Sequence, residues 1–451
     1  VVYVATEHNT VYAFDADGRS STPLWQVSFI NPAAGVTTIP AMDADPDADI
    51  GPEIGNTGTP VIDPATGTLY LVARTKEVSG TTTNYVQKLH ALDIRTGAEK
   101  FGGPVVIQAS VPGTGQGSQG GQLPFSALHQ NQRAALLLSN GVVYIGFGSH
   151  SDVQPYHGWV LGYNAATLQQ TMAFNATPNG EGGGIWQSGG GLAADAAGNI
   201  YIATGNGSFT ANLGGNNYAM SFVKLSPAGG VLGSFTPFDQ STSNANNLDL
   251  GAAGVVLLPD QAAAHPHLLV FGGKDATVYL IDRDNPGGFN PNNNSHAVQT
   301  LPNIFPNGTQ PVPGNYSTPV YFNGAVYFGP VADRLYAFAL TNGALSTAPT
   351  SRSSAIYGFS GGTLAISANG ATNGILWAIQ RNGLFGGGQN TAPGILHAYD
   401  PANLANEFYN SNQAGSRDML DFASKFAIPL VVNGKVFVGS EGKLTVYGLL
   451  P

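Results

Sequence analysis

The sequence predicts an all-β fold, an eight-bladed β-propeller of four-stranded antiparallel blades, forming one domain over residues 1–451 with an incomplete N-terminal blade. Three observations predict it. A strand such as "VYVAT" followed by a second such as "VYAFD" recurs along the chain, bounded by Gly, Asn and Asp. Helical periodicity is almost absent. The 61 Gly and 29 Pro are spread through the chain rather than pooled in linkers. A sheet this small cannot bury both faces alone, and stacking many of them radially solves that problem.

In order, the pairs are "VVYVAT"/"TVYAFD" (Val1–Asp15), "TLYLVA"/"LHALD" (Thr68–Asp93), "VVYIGF"/"WVLGYN" (Val142–Asn164) and "NIYIAT"/"SFVKLS" (Asn199–Ser226). They continue with "HLLVFGG"/"TVYLID" (His267–Asp282), "AVYFGP"/"LYAFAL" (Ala325–Leu340), "ILWAIQ"/"ILHAYD" (Ile375–Asp400) and "KVFVGS"/"LTVYGL" (Lys435–Leu449). Many are preceded by a third strand such as "TPVID", "TPVYF" or "IPLVV". The first unit lacks that leading strand and the last stops after its pair, so the two ends are expected as neighbouring blades or as complements of one blade. Seven or nine blades would also suit the spacing. Long loops at Asn31–Asn56, Val111–Gln130, Pro286–Gly314 and Ser351–Phe359 are expected on the propeller faces, where function usually resides.

Composition narrows the partners. Charged residues make up 10% of the chain, against about 25% in a typical soluble protein. A net charge of −10 with 17 basic residues argues against nucleic acid or an anionic membrane surface. No apolar run reaches the roughly 20 residues of a transmembrane helix. The chain has no cysteine, which excludes disulfides, thiolate metal sites and cysteine nucleophiles. It begins Val-Val-Tyr-Val inside a strand; a signal peptide removed upstream is the expectation, with a secreted or periplasmic location.

One segment stands apart. "GGGIWQSGGGLAADAAGNIYIATGNG" (Gly182–Gly207) sets Trp186 among glycines and ends a strand on Thr204-Gly205-Asn206. Farther on, "NNLDLGAAGVVLL" contains Asp249 and "FGGKDATVYLIDR" contains Lys274, while "SHSDVQPYHGWVLGYN" contains Asp152. Each has a structural explanation as well. Trp186 suits blade packing, Asn206 a turn, Asp249 a cap and Lys274 a solvated hairpin. "MDADPDADIGPE" (Met42–Glu53) carries alternating acids that could gather around calcium, but Pro46 and Ala48 depart from an EF-hand loop, and a solvated acidic loop is the expectation. His150 and His157 flank Asp152, and His265-Pro266-His267 lies in a loop; hydrogen-bonded loop histidines are expected, with a transition-metal site as the alternative.

"LHALDIRTGAEKF" (Leu89–Phe101) resembles the repeat of the pyrroloquinoline quinone (PQQ) propellers, whose blades carry Ala-x-Asp-x-x-Thr-Gly-x-x-x-Trp. The resemblance covers nearly the whole chain and sharpens between Val142 and Arg283. It is to the quinoprotein alcohol dehydrogenases. In that family a Gly-Gly-Gly segment leads to a tryptophan under the quinone, which corresponds to Trp186. An Asn in Thr-Gly-Asn binds calcium, here Asn206. A Trp-Asp-x-Ala-Gly-Val segment holds the catalytic Asp, here Asp249 with Leu248 in place of Trp and one extra residue. A Lys or Arg before "VYxLDR" touches the quinone oxygens, here Lys274. A remaining calcium carboxylate corresponds, offset by about one position, to Asp152. The family's cysteine pair over the quinone cannot exist here, and several docking tryptophans are gone.

The resemblance implies a PQQ- and calcium-dependent dehydrogenase acting on a small alcohol or sugar. Asp152, Asn206 and Asp249 would be metal ligands, Trp186 and Lys274 cofactor contacts, and Asp249 and Lys274 the catalytic residues. With no Cys-x-x-Cys-His haem motif, electrons would leave to a separate carrier. The alternative is a non-catalytic propeller that binds protein or glycan partners and whose cofactor pocket has decayed.

Overall fold

Alternating apolar residues put one face of each strand against the next sheet, and the paired strands meet in antiparallel register. Val2↔Phe14 and Ala5↔Val11 pair in the first unit, Thr68↔Asp93 in the second, and Leu268↔Asp282 in the fifth. The computed structural model describes residues 1–47, 49–306, 314–383 and 390–449. It is an eight-bladed β-propeller. All eight predicted pairs form, and in blades 2 to 7 they are the middle of the blade. Residues 307–313 of the long loop at Pro286–Gly314, and Ala48 of the acidic loop, lie outside the described residues.

Blades 2 to 7 have an inner strand, the predicted pair, and an outer strand. In blade 3 these are Leu137–Ser139, Val142–Ser149, Trp159–Asn164 and Gln170–Asn175. In blade 5 they are Val256–Leu257, Leu268–Gly272, Val278–Asp282 and Gln299–Leu301. The inner strands include Val61–Asp63, Val320–Phe322 and Leu430–Val432, within the predicted leading segments. The two ends are neighbouring blades. Among the described residues blade 1 (Val2–Ala5, Thr10–Phe14, Trp25–Ser28) has no inner strand, and blade 8 (Leu430–Val432, Lys435–Ser440, Lys443–Tyr447) has no outer one.

The core lies between blades. Val11, Leu69, Leu71 and Leu92 join blades 1 and 2, and Tyr70, Leu89, Phe147 and Trp159 join blades 2 and 3. Tyr201, Phe222, Phe271 and Tyr279 join blades 4 and 5. Comparable clusters continue to Ile379, Leu396, Val436 and Val438 between blades 7 and 8. Ion pairs bridge the closing seam: Lys435 of blade 8 meets Asp17 of blade 1, and Lys425 meets Asp49 at 2.6 Å.

Strand alternation fixes where function can gather. Within an antiparallel blade, the link between the second and third strands emerges on the same face as the link from the outer strand to the next inner strand. Asp152, Asn206 and Lys274 lie in links of the first kind, and Trp186 and Asp249 in links of the second.

Candidate functional site

Backbone hydrogen bonds lace these links together. Gly205 N–H donates to Gly184 O (2.8 Å), which ties the Trp186 loop to the Asn206 loop. Gly251 N–H donates to Thr204 O (3.1 Å), and Lys274 N–H to Asp249 O (3.1 Å). Glycine at 205 is required by close approach. A Cβ there would stand 2.3 Å from Asp249 Oδ1 and 2.8 Å from Trp186 Nε1.

The predicted residues Trp186, Asn206, Asp249 and Lys274 are thereby brought side by side. Asp249 begins a short 3-10 turn (Leu250–Ala252) but its carboxylate does not cap it. Oδ1 accepts from Asn206 N–H at 2.8 Å, and Oδ2 receives the Lys274 ammonium at 2.5 Å. Lys274 is therefore no solvated hairpin residue: its side chain is 16% exposed and that of Asp249 3%. Burial pulls the Lys274 pKa down, but Asp249 and the Tyr316 phenol group more than reverse this, so it rises. The Asn206 amide donates to Asn247 Oδ1 (2.6 Å), while its own Oδ1 is buried without a partner. Asp152 accepts from Tyr156 OH at 2.7 Å. Burial raises its pKa, and the nearby charge of Asp249 raises it further.

Trp186 is 8% exposed. Its glycine surroundings have a local cause, since Cβ atoms at Gly148 and Gly184 would stand 2.8 and 3.0 Å from indole atoms. Over the ring stands a group that sequence reasoning missed. The Arg133 guanidinium lies 5.0 Å from the Trp186 ring centre and 4.7 Å from that of Phe426. Lys425 in turn lies over Phe426 and Phe359, and Lys274 over Tyr316. Arg133, Tyr316, Phe359 and Phe426 each fall four residues before an inner strand, and that fixed offset is a signal that could have revealed them.

The acidic loop is not the solvated segment expected. Asp45 is fully buried and accepts from Ser151 Oγ (2.6 Å) and Asp49 N–H (2.9 Å). Asp43 pairs with Lys76, and Glu53 with His8. Asp49 reaches Lys425 beside the site; burial alone would raise its pKa, but Lys425 carries it below the usual value. The histidines are hydrogen-bonded. His150 meets the buried Arg74 and His157 meets Thr177, whereas His265 and His267 pair with Asp282 and Asp284. Among the described residues no three His, Asp or Glu side chains are grouped to hold a metal by themselves.

The donor set can be tested against the groups the resemblance implies. Two carboxylates and one orphaned amide oxygen suit a hard cation such as calcium, which takes six to eight oxygens. A planar group suits the Trp186 ring provided that Arg133 leaves it.

No family model matches the chain, and no curated protein matches it in sequence. Solved structures do resemble it. The quinohemoprotein alcohol dehydrogenase of Comamonas testosteroni aligns with a TM-score of 0.52 and 15% identity over 97% of this chain and 68% of that one. BamB of Moraxella catarrhalis aligns with a TM-score of 0.51 and 12% identity over 99% of this chain and 91% of that one. At such identity the likeness is one of fold alone. Among the described residues no helix is long and apolar enough to cross a membrane.

Proposed function

We propose that the protein is a quinoprotein-type dehydrogenase that oxidises a small alcohol or sugar, using calcium and PQQ held where these blade links meet. The observation that carries the reading is the meeting of Asp249, Lys274, Asn206 and Trp186 from separate blade links, with the Asn206 Oδ1 atom buried and unpartnered. Asp152, Asn206 and Asp249 would hold the cation. Trp186 and Lys274 would hold the cofactor, which when bound supplies the two-electron acceptor. Electrons would pass on to a separate carrier. A secreted or periplasmic location is part of the proposal.

The chain's own chemistry is a proton transfer in a charged, partly dry setting. Asp249 is the group placed to accept an alcohol proton, and the Asn206 N–H fixes its carboxylate through Oδ1. Lys274, held at Asp249 Oδ2, would offer fixed positive charge to the cofactor oxygens as they become reduced. Burial, and then the like charge of Asp249, raise the Asp152 pKa, so two bare carboxylates together are disfavoured, a conflict that a bound cation would relieve.

The experiment adds PQQ and calcium to the purified protein and follows alcohol- or sugar-dependent reduction of an artificial dye. Asp249→Asn should abolish reduction; because it also leaves the Lys274 ammonium unpaired, its lower melting temperature is checked to lie above the assay temperature. Failure of wild type to reduce the dye with any of a panel of alcohols and sugars, together with no melting shift, would refute the proposal. One observation favours a second reading, a non-catalytic propeller binding protein or glycan: Arg133 covers the ring that a cofactor would need.

A further inference from the structure

We infer that Arg133 is a displaceable cover on Trp186, and that it restricts the site to flat ligands that carry carboxylates. The inference rests on the cofactor-site reading above and names the chemistry of what that site accepts.

A guanidinium is planar and stacks on aromatic faces. Here it lies over two rings at once, 5.0 Å from Trp186 and 4.7 Å from Phe426, in the place a flat ligand would take. Its polar contacts are poor for a group with five N–H donors. Nη2 reaches Ser188 Oγ at 3.4 Å, and Nε is buried without a partner. The carboxylates nearby are already engaged: Asp49 with Lys425, Asp249 with Lys274, and Asp152 with Tyr156. The guanidinium is thus held by ring faces more than by hydrogen bonds.

A flat ligand on Trp186 takes that support away. The displaced guanidinium then needs an anion, because an unpaired buried charge is costly. A carboxylate on the ligand supplies one with two-pronged geometry. A neutral flat ligand gains the stacking and leaves Arg133 stranded. The cover therefore sets selectivity between flat ligands by their charge, which a residue serving only blade packing would not do.

The test titrates the intact protein, in calcium, with PQQ and with 9,10-phenanthrenequinone, a flat ortho-quinone without carboxylates. Binding is read from quenching of Trp186 emission, with Trp186→Phe protein correcting for the other tryptophans. In Arg133→Ala the neutral quinone should bind at least tenfold tighter while PQQ does not tighten, so the PQQ-to-neutral affinity ratio falls tenfold or more. Arg133→Lys keeps the charge, loses the planar stack, and should fall between the two. Melting curves identify any variant that fails to fold, and the second variant then carries the measurement. A ratio that changes less than fivefold, or an alanine variant that binds neither quinone, overturns the inference. Dye reduction by wild type with an unmoved ratio removes the inference alone. A shifted ratio without dye reduction removes the dehydrogenase reading alone.

Discussion

Asp275, next to Lys274, is a buried carboxyl whose ionisation should show in the stability of the whole propeller. Its Oδ2 accepts from Tyr279 OH at 2.5 Å. Burial lifts its pKa from 3.8 to about 7, and the charge of Asp239 adds to the rise. A carboxyl raised on folding binds its proton more tightly in the native state. Stability is therefore highest below the unfolded pKa and falls as pH rises towards about 7. At 1.36 kcal/mol per pH unit, the full interval corresponds to about 4 kcal/mol of lost stability at pH 8. Asp275→Asn keeps an acceptor for Tyr279 and cannot ionise. Its denaturant midpoint should lie within about 1 kcal/mol of wild type near pH 4.5 and exceed it at pH 8, by an amount equivalent to about 4 kcal/mol at most. Parallel pH profiles for the two proteins between pH 4.5 and 8 would show that Asp275 is not the group responsible, and that its burial is relieved in solution.

Other expectations can be checked together. Gly205→Ala forces a Cβ to within 2.3 Å of Asp249 Oδ1; it should cost about 1–3 kcal/mol in urea titrations and weaken any Trp186 quenching by PQQ. Lys274→Met leaves the Asp249 carboxylate buried and unpaired, which should cost about 3–5 kcal/mol, whereas Asp249→Asn/Lys274→Met should recover much of that loss in a double-mutant cycle. Calcium at a hundred times its dissociation constant should stabilise wild type by about 2.7 kcal/mol. Asn206→Ala should reduce that gain, and an equal gain in both proteins would remove Asn206 from the cation site.

What could be read from the chain follows the range of the interactions concerned. The eight strand pairs were legible because alternation and turn residues act between neighbours, as in Val142↔Asn164. Trp186, Asn206, Asp249 and Lys274 stood out as motifs, and the topology explains why residues of successive blades meet. Arg133 was missed because its partners Trp186 and Phe426 lie in other blades, and its one signal, a place four residues before an inner strand, emerges only when the blades are aligned with one another. The acidic loop was misjudged for the same reason. Alternating acids look solvated until Lys76, Ser151 and Lys425, all distant in sequence, supply their partners.

The Lys425–Asp49 pair joins residues 376 positions apart, whereas apolar clusters such as Val11 with Leu69 and Ile379 with Val436 join adjacent blades. Chain entropy makes such a contact late to form. Each doubling of loop length adds about 0.6 kcal/mol, so closing this loop costs about 2 kcal/mol more than closing one of blade length. Assembly should therefore run blade against blade and finish at the seam. Lys425 also stacks on Phe426, which packs on Arg133 and through it on Trp186. The Arg133 stack is thus completed by the final step of folding. A transient opening there would free Phe426 from Arg133 while the links that hold Trp186, Asn206, Asp249 and Lys274 stayed intact, and amide exchange would detect it as early labelling confined to blades 1 and 8.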